Sequence, residues 1–343
     1  GVFGSTFDRV DTQTIVPYRL AFEGQFYQTT GDYAFHKFKV DYPTRRYRLT
    51  LNSGWENWDG APYYGNGARS IRDESLPTEY YQINLASLWL QPQMRFKIWK
   101  DLEGLILVTL RDVSIRHADN LLETLSPNGV DGGRLLMYAL GITIDTRDKD
   151  PTPSSGYWLE LSSGMAPTVL GSNFSTQYAN ATHRHWWSLT QSKQIVLASR
   201  TMLDVQRRSP FFQLSTFGGT QLVETGGHSL LRGLETGRVR GHRKAAQTLE
   251  IHLRLSPFEI FKKSLAPMFV LFGEVVHLSE HSDELWSSKH LLGSAGAGAR
   301  LAVDEAFIVR LDFGFTPERI RTETGHLEWV NRFGSYVIVG HSF

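Results

Sequence analysis

His183 and His185 lie two residues apart, so on an extended strand they would share one face and could hold a metal ion. A catalytic metal needs a third ligand, and no candidate is apparent. Trp186-Trp187 follow directly, so an interfacial role fits the pair better. His277, His281 and His290 gather around a predicted long loop, where histidines are commonly only solvated. Asp145 and Asp148 flank Arg147 in a predicted turn, and aspartates there stabilise the turn itself. Neither a Gly-x-Ser-x-Gly elbow nor a phosphate-binding glycine loop nor a metalloprotease helix motif occurs. No carboxylate pair stands out for acid–base work of the glycosidase kind. The chain has no Cys, which removes thiolate metal sites, cysteine nucleophiles and a disulfide scaffold. These residues point to no enzyme, no metal and no cofactor.

The elements that would position such residues are extended ones. Net charge is +1, so nothing in the balance suggests nucleic acid or an acidic substrate. Mean hydropathy is negative, which looks soluble at first reading. No window approaches the ~18–20 consecutive apolar residues of a membrane helix. If the chain spans a membrane, only a closed barrel can satisfy its backbone there.

Period-two alternation runs throughout. Tyr18, Leu20, Phe22, Gly24 and Phe26 oppose Arg19, Ala21, Glu23 and Gln25; Phe38, Val40 and Tyr42 oppose Lys37, Lys39 and Asp41. Tyr47, Leu49 and Leu51 oppose Arg46, Arg48, Thr50 and Asn52, and Phe307, Val309, Leu311, Phe313 and Phe315 oppose Ile308, Arg310, Asp312 and Gly314. The same dyad marks 81–89, 136–144 and 249–255. A soluble sandwich also alternates, but its strands average about five or six residues. Segments of about ten residues, with charge on one face and aromatics near the ends, are the code of a transmembrane barrel. Candidate girdle residues are Trp55, Trp58, Tyr63, Tyr64, Trp89, Trp158, Trp186 and Trp187.

Fifteen strands are expected, at 1–8, 16–28, 32–42, 45–58, 79–99, 104–117, 133–147, 157–169, 174–188, 194–206, 241–255, 267–279, 295–304, 306–315 and 335–343. Bacterial single-chain barrels have even strand numbers, so about sixteen is the expectation, with a first strand lying upstream or one segment wrongly divided. Short connections (Thr30-Gly31, Pro43-Thr44, 145–156, 190–193) contrast with long ones at 59–78, 118–132, 207–240 and 280–294. Long loops would face outward and short turns the periplasm. Thr30-Gly31 is tight where parity wants an outer loop. With no linker and no fixed repeat, residues 1–343 read as one all-β domain, a transmembrane antiparallel β-barrel.

The longest loop carries Leu231-Arg232-Gly233-Leu234, then Gly237-Arg238 and the strand Gln247-Thr248-Leu249-Glu250. This resembles the conserved loop of the BamA/TamA-like outer-membrane assembly and translocation superfamily: a hydrophobic residue, Arg, Gly and usually an aromatic. Tyr63-Tyr64-Gly65-Asn66-Gly67 resembles the family's early extracellular loop. Asp145-Thr146-Arg147 resembles its periplasmic turn, and Gly296-Ala297-Gly298-Ala299-Arg300-Leu301 its antepenultimate strand; the chain ends on the aromatic Phe343. The resemblance covers essentially the whole chain. It implies that the loop folds into the lumen and that Arg232 pairs with Glu250 and Glu274, both on faces read as inward from alternation. The family usually has Asp at the place of Glu274, and Leu234 replaces the usual aromatic. Arg240-Gly241 is a second dipeptide whose Arg could fill the same role; the Gly-Arg spacing downstream favours Arg232.

The resemblance further implies a location in the outer membrane of a Gram-negative bacterium. It implies outer-membrane lipids, periplasmic or outer-membrane proteins, and a polypeptide substrate as partners, with no nucleic acid. First and last strands that pair weakly would leave an edge able to template incoming strands. Gly334 and Gly340, in the short last strand ending at Phe343, fit such a seam. The chain starts at Gly1 without a signal segment and reads as mature or trimmed, and the family's POTRA repeats would be expected upstream. Three functions follow: a barrel assisting insertion or translocation of polypeptides or lipids, a pore or docking barrel of a larger complex, and a membrane anchor for an upstream enzyme.

Overall fold

The computed structural model describes residues 3–5, 21–28, 33–44, 46–68, 70–117, 119–149, 152–281, 287–304 and 307–340. Among these, fifteen strands follow one another in chain order, each antiparallel to the next. They are β1 Phe3–Ser5, β2 Ala21–Gln28, β3 Tyr33–Pro43, β4 Tyr47–Pro62 and β5 Gln82–Trp99, then β6 Leu102–Arg116, β7 Gly132–Asp145, β8 Gly156–Ala166, β9 Thr176–Ser188 and β10 Ile195–Arg207, and finally β11 Arg243–Arg254, β12 Lys263–Ser279, β13 Leu291–Val303, β14 Phe307–Arg321 and β15 Leu327–Gly340. Each expected segment corresponds to one of these strands. Arg72–Asp73, parallel to the end of β14, and Phe258–Ile260, which prolongs the β11–β12 hairpin, bring the sheet to seventeen strands. The turn expected at Thr30-Gly31 and the terminal Phe343 lie outside the described residues.

The largest boundary difference is the last hairpin. Segments 306–315 and 335–343 were expected, whereas β14 runs on through Pro317 to Arg321 and β15 begins at Leu327. Its distal half mixes Leu327, Trp329 and Phe333 with Pro317, Arg319, Arg321 and Asn331 on the outward face, so the apolar alternation there is broken.

Alternation sorts the side chains as a lipid-embedded barrel requires. Phe38, Leu49, Leu51, Ile106, Leu140, Leu271 and Phe313 are exposed on one face, while Thr50, Asn52, Glu160, Glu250, Glu274 and Asp312 are buried on the other. That much exposed apolar surface would be a liability in water and is matched solvent in a bilayer. Several girdle expectations need correction. Trp55 and Trp187 do face outward, but Trp89 points inward across Gly54, Trp158 and Trp186 pack inside the wall with Val196 and Ala198, and Tyr63 and Tyr64 are buried in an extracellular loop. Strand parity, not nearness to a strand end, decides the face.

Connections 44–46, 100–101, 146–155, 189–194, 255–262 and 304–306 gather at one end. Connections 63–81, 117–131, 167–175, 208–242, 280–290 and 322–326 gather at the other, which holds the long loops and is the extracellular end. The longest, 208–242, turns back into the barrel. Phe217, Val223, Leu230, Leu231 and Leu234 from this loop pack against Met202, Ala246, Val276 and Leu278 of β10, β11 and β12. Phe211 and Phe212 join Tyr63, Leu85, Val113, Leu135 and Phe174 in a second cluster. Each such large apolar side chain contributes about 1.5–3 kcal/mol when fully buried.

Candidate functional site

Arg232 sits between two residues with left-handed backbone, Leu231 at φ 52° and Gly233 at φ 128°. The tight reversal drives its side chain into the wall. Its Nε donates to Glu274 Oε1 at 3.1 Å, Nη2 lies 2.9 Å from the same oxygen, and the backbone N–H donates to Glu274 Oε2 at 3.1 Å. Nη2 also donates to Glu250 Oε1 at 3.0 Å, and Nη1 to Asp312 Oδ2 at 2.8 Å. Three strands, β11, β12 and β14, thus each supply a carboxylate to one guanidinium. The Arg232 guanidinium is stacked on Phe272 of β12.

The carboxylates are shared. Arg300 Nη2 donates to both oxygens of Glu250 at 2.9 and 2.8 Å, His252 Nε2 lies 2.8 Å from Glu250 Oε2, and Arg310 Nε donates to Asp312 Oδ2 at 2.5 Å. Ser294 Oγ donates to Glu274. Such a buried network holds only while each charge keeps its partners, which gives it geometric specificity.

Two glycines make the close approach possible. A Cβ on Gly233 would lie within 3.0 Å of the Thr316 backbone N and the Arg332 carbonyl, and one on Gly314 would strike the Arg232 carbonyl. Thr316 Oγ1 donates to Arg232 O at 3.1 Å, and Gly233 N donates to Tyr336 Oη at 3.0 Å, so the motif also reaches β15. Gly334, paired with Gly314, leaves room for the Tyr336 ring. Gly340 ends β15 opposite Ile308.

The rest of the loop is held at both walls. Arg238 bonds Glu318, the Ser70 hydroxyl at 2.9 Å and the Ser70 carbonyl at 3.0 Å, and it stacks on Tyr64 at 4.1 Å. Burial and the neighbouring Glu235 push the Tyr64 phenol up to about 12. Arg240, the competing loop arginine, donates to the carbonyls of Phe211 and Pro62 and pairs with no carboxylate among the described residues. At the tip of the inner hairpin Thr216–Phe217/Val223–Glu224, Thr220 N donates to Glu160 Oε1 of β8 at 2.8 Å. Arg95 of β5 donates to the Thr220 hydroxyl at 3.1 Å. Lys244 Nζ lies 3.0 Å from Asp204 and donates to Thr216 O at 2.6 Å. A segment bonded from β5 round to β15 lies across the lumen.

At the other end, Arg147 pairs with Asp145, Nη2 to Oδ2 at 2.7 Å, inside the 146–155 turn. Arg254 of β11 donates to the carbonyls of Thr152 and Pro153, tying the turn to the wall three strands on from β8. Burial would raise the Asp148 pKa, but hydrogen bonds from Ser154, Ser155 and Lys193 carry it well below the usual carboxylate range. His277 is buried and its ring lies 5.5 Å from that of His290. Among the described residues no group of three His, Asp or Glu is arranged to hold a metal.

Sequence reasoning missed Asp312 as a third partner and Phe272 as the stacking ring. Asp312 was legible as inward-facing, but nothing in the sequence says which inward carboxylates a loop arginine can reach.

An antiparallel transmembrane barrel with a long extracellular loop returned into its lumen defines the class: an outer-membrane β-barrel with a lumen loop. Residues 18–325 match the Omp85 superfamily domain, and the chain belongs to that superfamily. Among solved structures it is similar to BamA from Haemophilus ducreyi lacking POTRA domains 1-3, with a TM-score of 0.56 and 11% identity over 94% of this chain and 64% of that one. It is also similar to CdiB from Escherichia coli (TM-score 0.53, 12% identity, 92% of this chain and 56% of that one). CdiB from Acinetobacter baumannii is comparable (TM-score 0.52, 12% identity, 92% and 53%). The chain therefore spans about half to two thirds of the length of these proteins. No curated protein matches it.

Proposed function

We propose that the barrel assists the insertion or translocation of polypeptides at the outer membrane, and that loop 208–242 is its lumen brace, fastened by Arg232 to Glu250, Glu274 and Asp312. The observation that carries this reading is the three-carboxylate grip on one loop residue. Its carboxylates come from β11, β12 and β14, and the adjoining Gly233 bonds β15. A loop that ties the last strands together from inside can stiffen that part of the wall while it is docked and free it when it lets go. Strands freed in this way offer unpaired edges to an incoming polypeptide. Asp145 and Arg147 would order the periplasmic turn where partner proteins approach, and Gly334 and Gly340 would keep the last strand compliant. A passive pore is less well supported, because the loop lies across the lumen and is bonded to its wall, and an anchoring role would not need such a lock.

Single-channel conductance of the purified chain in planar bilayers tests the reading. Wild type is expected to be nearly closed and Arg232→Ala to conduct in large, fluctuating steps. Steady and equal conductance in both would remove the brace and favour a plain pore.

A further inference from the structure

The lipid-facing wall is largely apolar, and a cluster of polar side chains interrupts it on β8–β11. There, one outward row reads Leu159, His183, Thr201, Gln247, and the next reads Tyr157, His185, Ser199, Leu249. Apolar rows flank them, with Trp187, Leu197 and Ile251 towards the periplasm and Leu161, Ala181, Leu203 and Ala245 towards the outside. The patch therefore lies at the periplasmic margin of the hydrocarbon-facing band, with Tyr157 the second residue of β8. Its amide and hydroxyls satisfy one another: Thr201 Oγ1 donates to Gln247 Oε1 at 2.6 Å, and Gln247 Nε2 donates to Ser199 Oγ at 2.9 Å.

The histidines differ. His185 stacks on Trp187 at 3.8 Å, His183 meets His185 edge-on at 5.7 Å, and the Tyr157 ring lies 5.9 and 6.0 Å from the two imidazoles. Neither imidazole has a hydrogen-bond partner among the described residues. Ring N–H groups facing hydrocarbon without a partner are costly, so a polar ligand in the membrane plane would stabilise them.

The surroundings select its charge. The outward positions of β8 to β12 carry no Asp or Glu, while Arg207 and Arg243 stand on the same face nearer the outer end. An anion meets no like charge there. The position selects its kind. His185 lies three residues before the periplasmic end of β9, beside the interfacial rings Trp187 and Tyr157, where lipid headgroups begin.

We propose that His183, His185 and Tyr157 form a site for the headgroup phosphate of a periplasmic-leaflet phospholipid, whose acyl chains run toward the membrane centre along Leu161, Ala181 and Leu203. The imidazole N–H groups and the phenol donate to the phosphate oxygens, and the leucine rows bury the chains. The site rests on the membrane-facing wall alone and does not involve loop 208–242, so its failure leaves the brace untouched.

Native mass spectrometry of the delipidated full chain, titrated with dioleoylphosphatidylglycerol and separately with dioleoylglycerol, tests it. The two lipids share their chains and differ in the phosphate-bearing headgroup. Retained phosphatidylglycerol adducts with weak dioleoylglycerol binding are expected on wild type. The double variant His183→Phe/His185→Phe, with folding checked by heat-modifiable gel migration, is expected to bind phosphatidylglycerol about tenfold more weakly. His183→Gln/His185→Gln, which keeps donors, is expected to retain most of the binding. Equal binding of the two lipids by wild type overturns the proposal. So does unchanged binding by the folded phenylalanine variant, or a wild-type dimer that this variant dissolves, which would assign the patch to a second copy.

Discussion

The guanidinium carbon of Arg232 lies 3.3 Å from the centroid of the Phe272 ring, so its face is stacked while its edges meet carboxylates. Phe272 can lie there because Gly296, its neighbour on β13, offers no side chain where the ring runs. Phe272→Leu keeps the site apolar and removes the stacking, worth about 0.5–2 kcal/mol. Brief openings in bilayer recordings are expected, rarer than those of Arg232→Ala because the carboxylate contacts survive. Openings as frequent as in Arg232→Ala would mean that the ring, not the carboxylates, holds the loop.

Glu250 is the most heavily shared member of the network, since Arg232, Arg300 and His252 all converge on it. Glu250→Gln leaves two guanidiniums short of a counter-charge, and breaking a buried pair of this kind costs about 3–5 kcal/mol. The variant is expected to unfold at distinctly lower urea than wild type. Asp112→Asn, on the exposed side of β6, should leave the midpoint unchanged because surface pairs contribute little.

Much of this was legible in the sequence, for a definite reason. Period-two alternation fixes a side chain's face from its parity alone, so Glu250, Glu274 and Asp312 were all readable as inward. Which of them a loop arginine touches depends on how the loop crosses the lumen, and a one-dimensional pattern does not contain that path. The resemblance implies Glu250 and Glu274; Asp312 becomes a partner only through the path the loop takes in the fold. Leu234 stands where the resemblance leads one to expect an aromatic, and the ring stacked on Arg232, Phe272, comes from the wall. Trp89, Trp158 and Trp186 were misread because their closeness to aromatic belts was weighed above parity. Residues 318–330 escape the pattern because outward Arg319 and Arg321 stand opposite Trp329 and Leu327 and break the apolar alternation.

Gly233 tests the lock without altering a charge. Its φ of 128° is one that side-chain-bearing residues rarely adopt, and an added Cβ meets the backbone of β14 and β15, neither of which can swing aside. Gly233→Ala is expected to undock the loop and to match Arg232→Ala in conductance, although every charged partner remains. Gly171→Ala, also at positive φ but with nothing within 4 Å, controls for backbone strain alone and should conduct like wild type.

Glu224, at the end of the inner hairpin, provides the pH dependence. Solvent reaches its carboxylate, yet the lumen wall surrounds it; desolvation, reinforced by Glu56, pushes its pKa up to about 7. A carboxyl raised in the docked state is more protonated there than when the loop is free. Its contribution to docking is therefore fully present below the ordinary carboxylate value near 4.5 and is lost as pH rises through about 7. Open probability in bilayers is expected to climb between about pH 4.5 and 7 in wild type, the interval between the free and docked values, and to level off above it. Glu224→Gln, neutral throughout, should hold the low-pH behaviour across the range. A wild-type profile flat over that interval, or a glutamine variant that still climbs, would assign the pH response to another group.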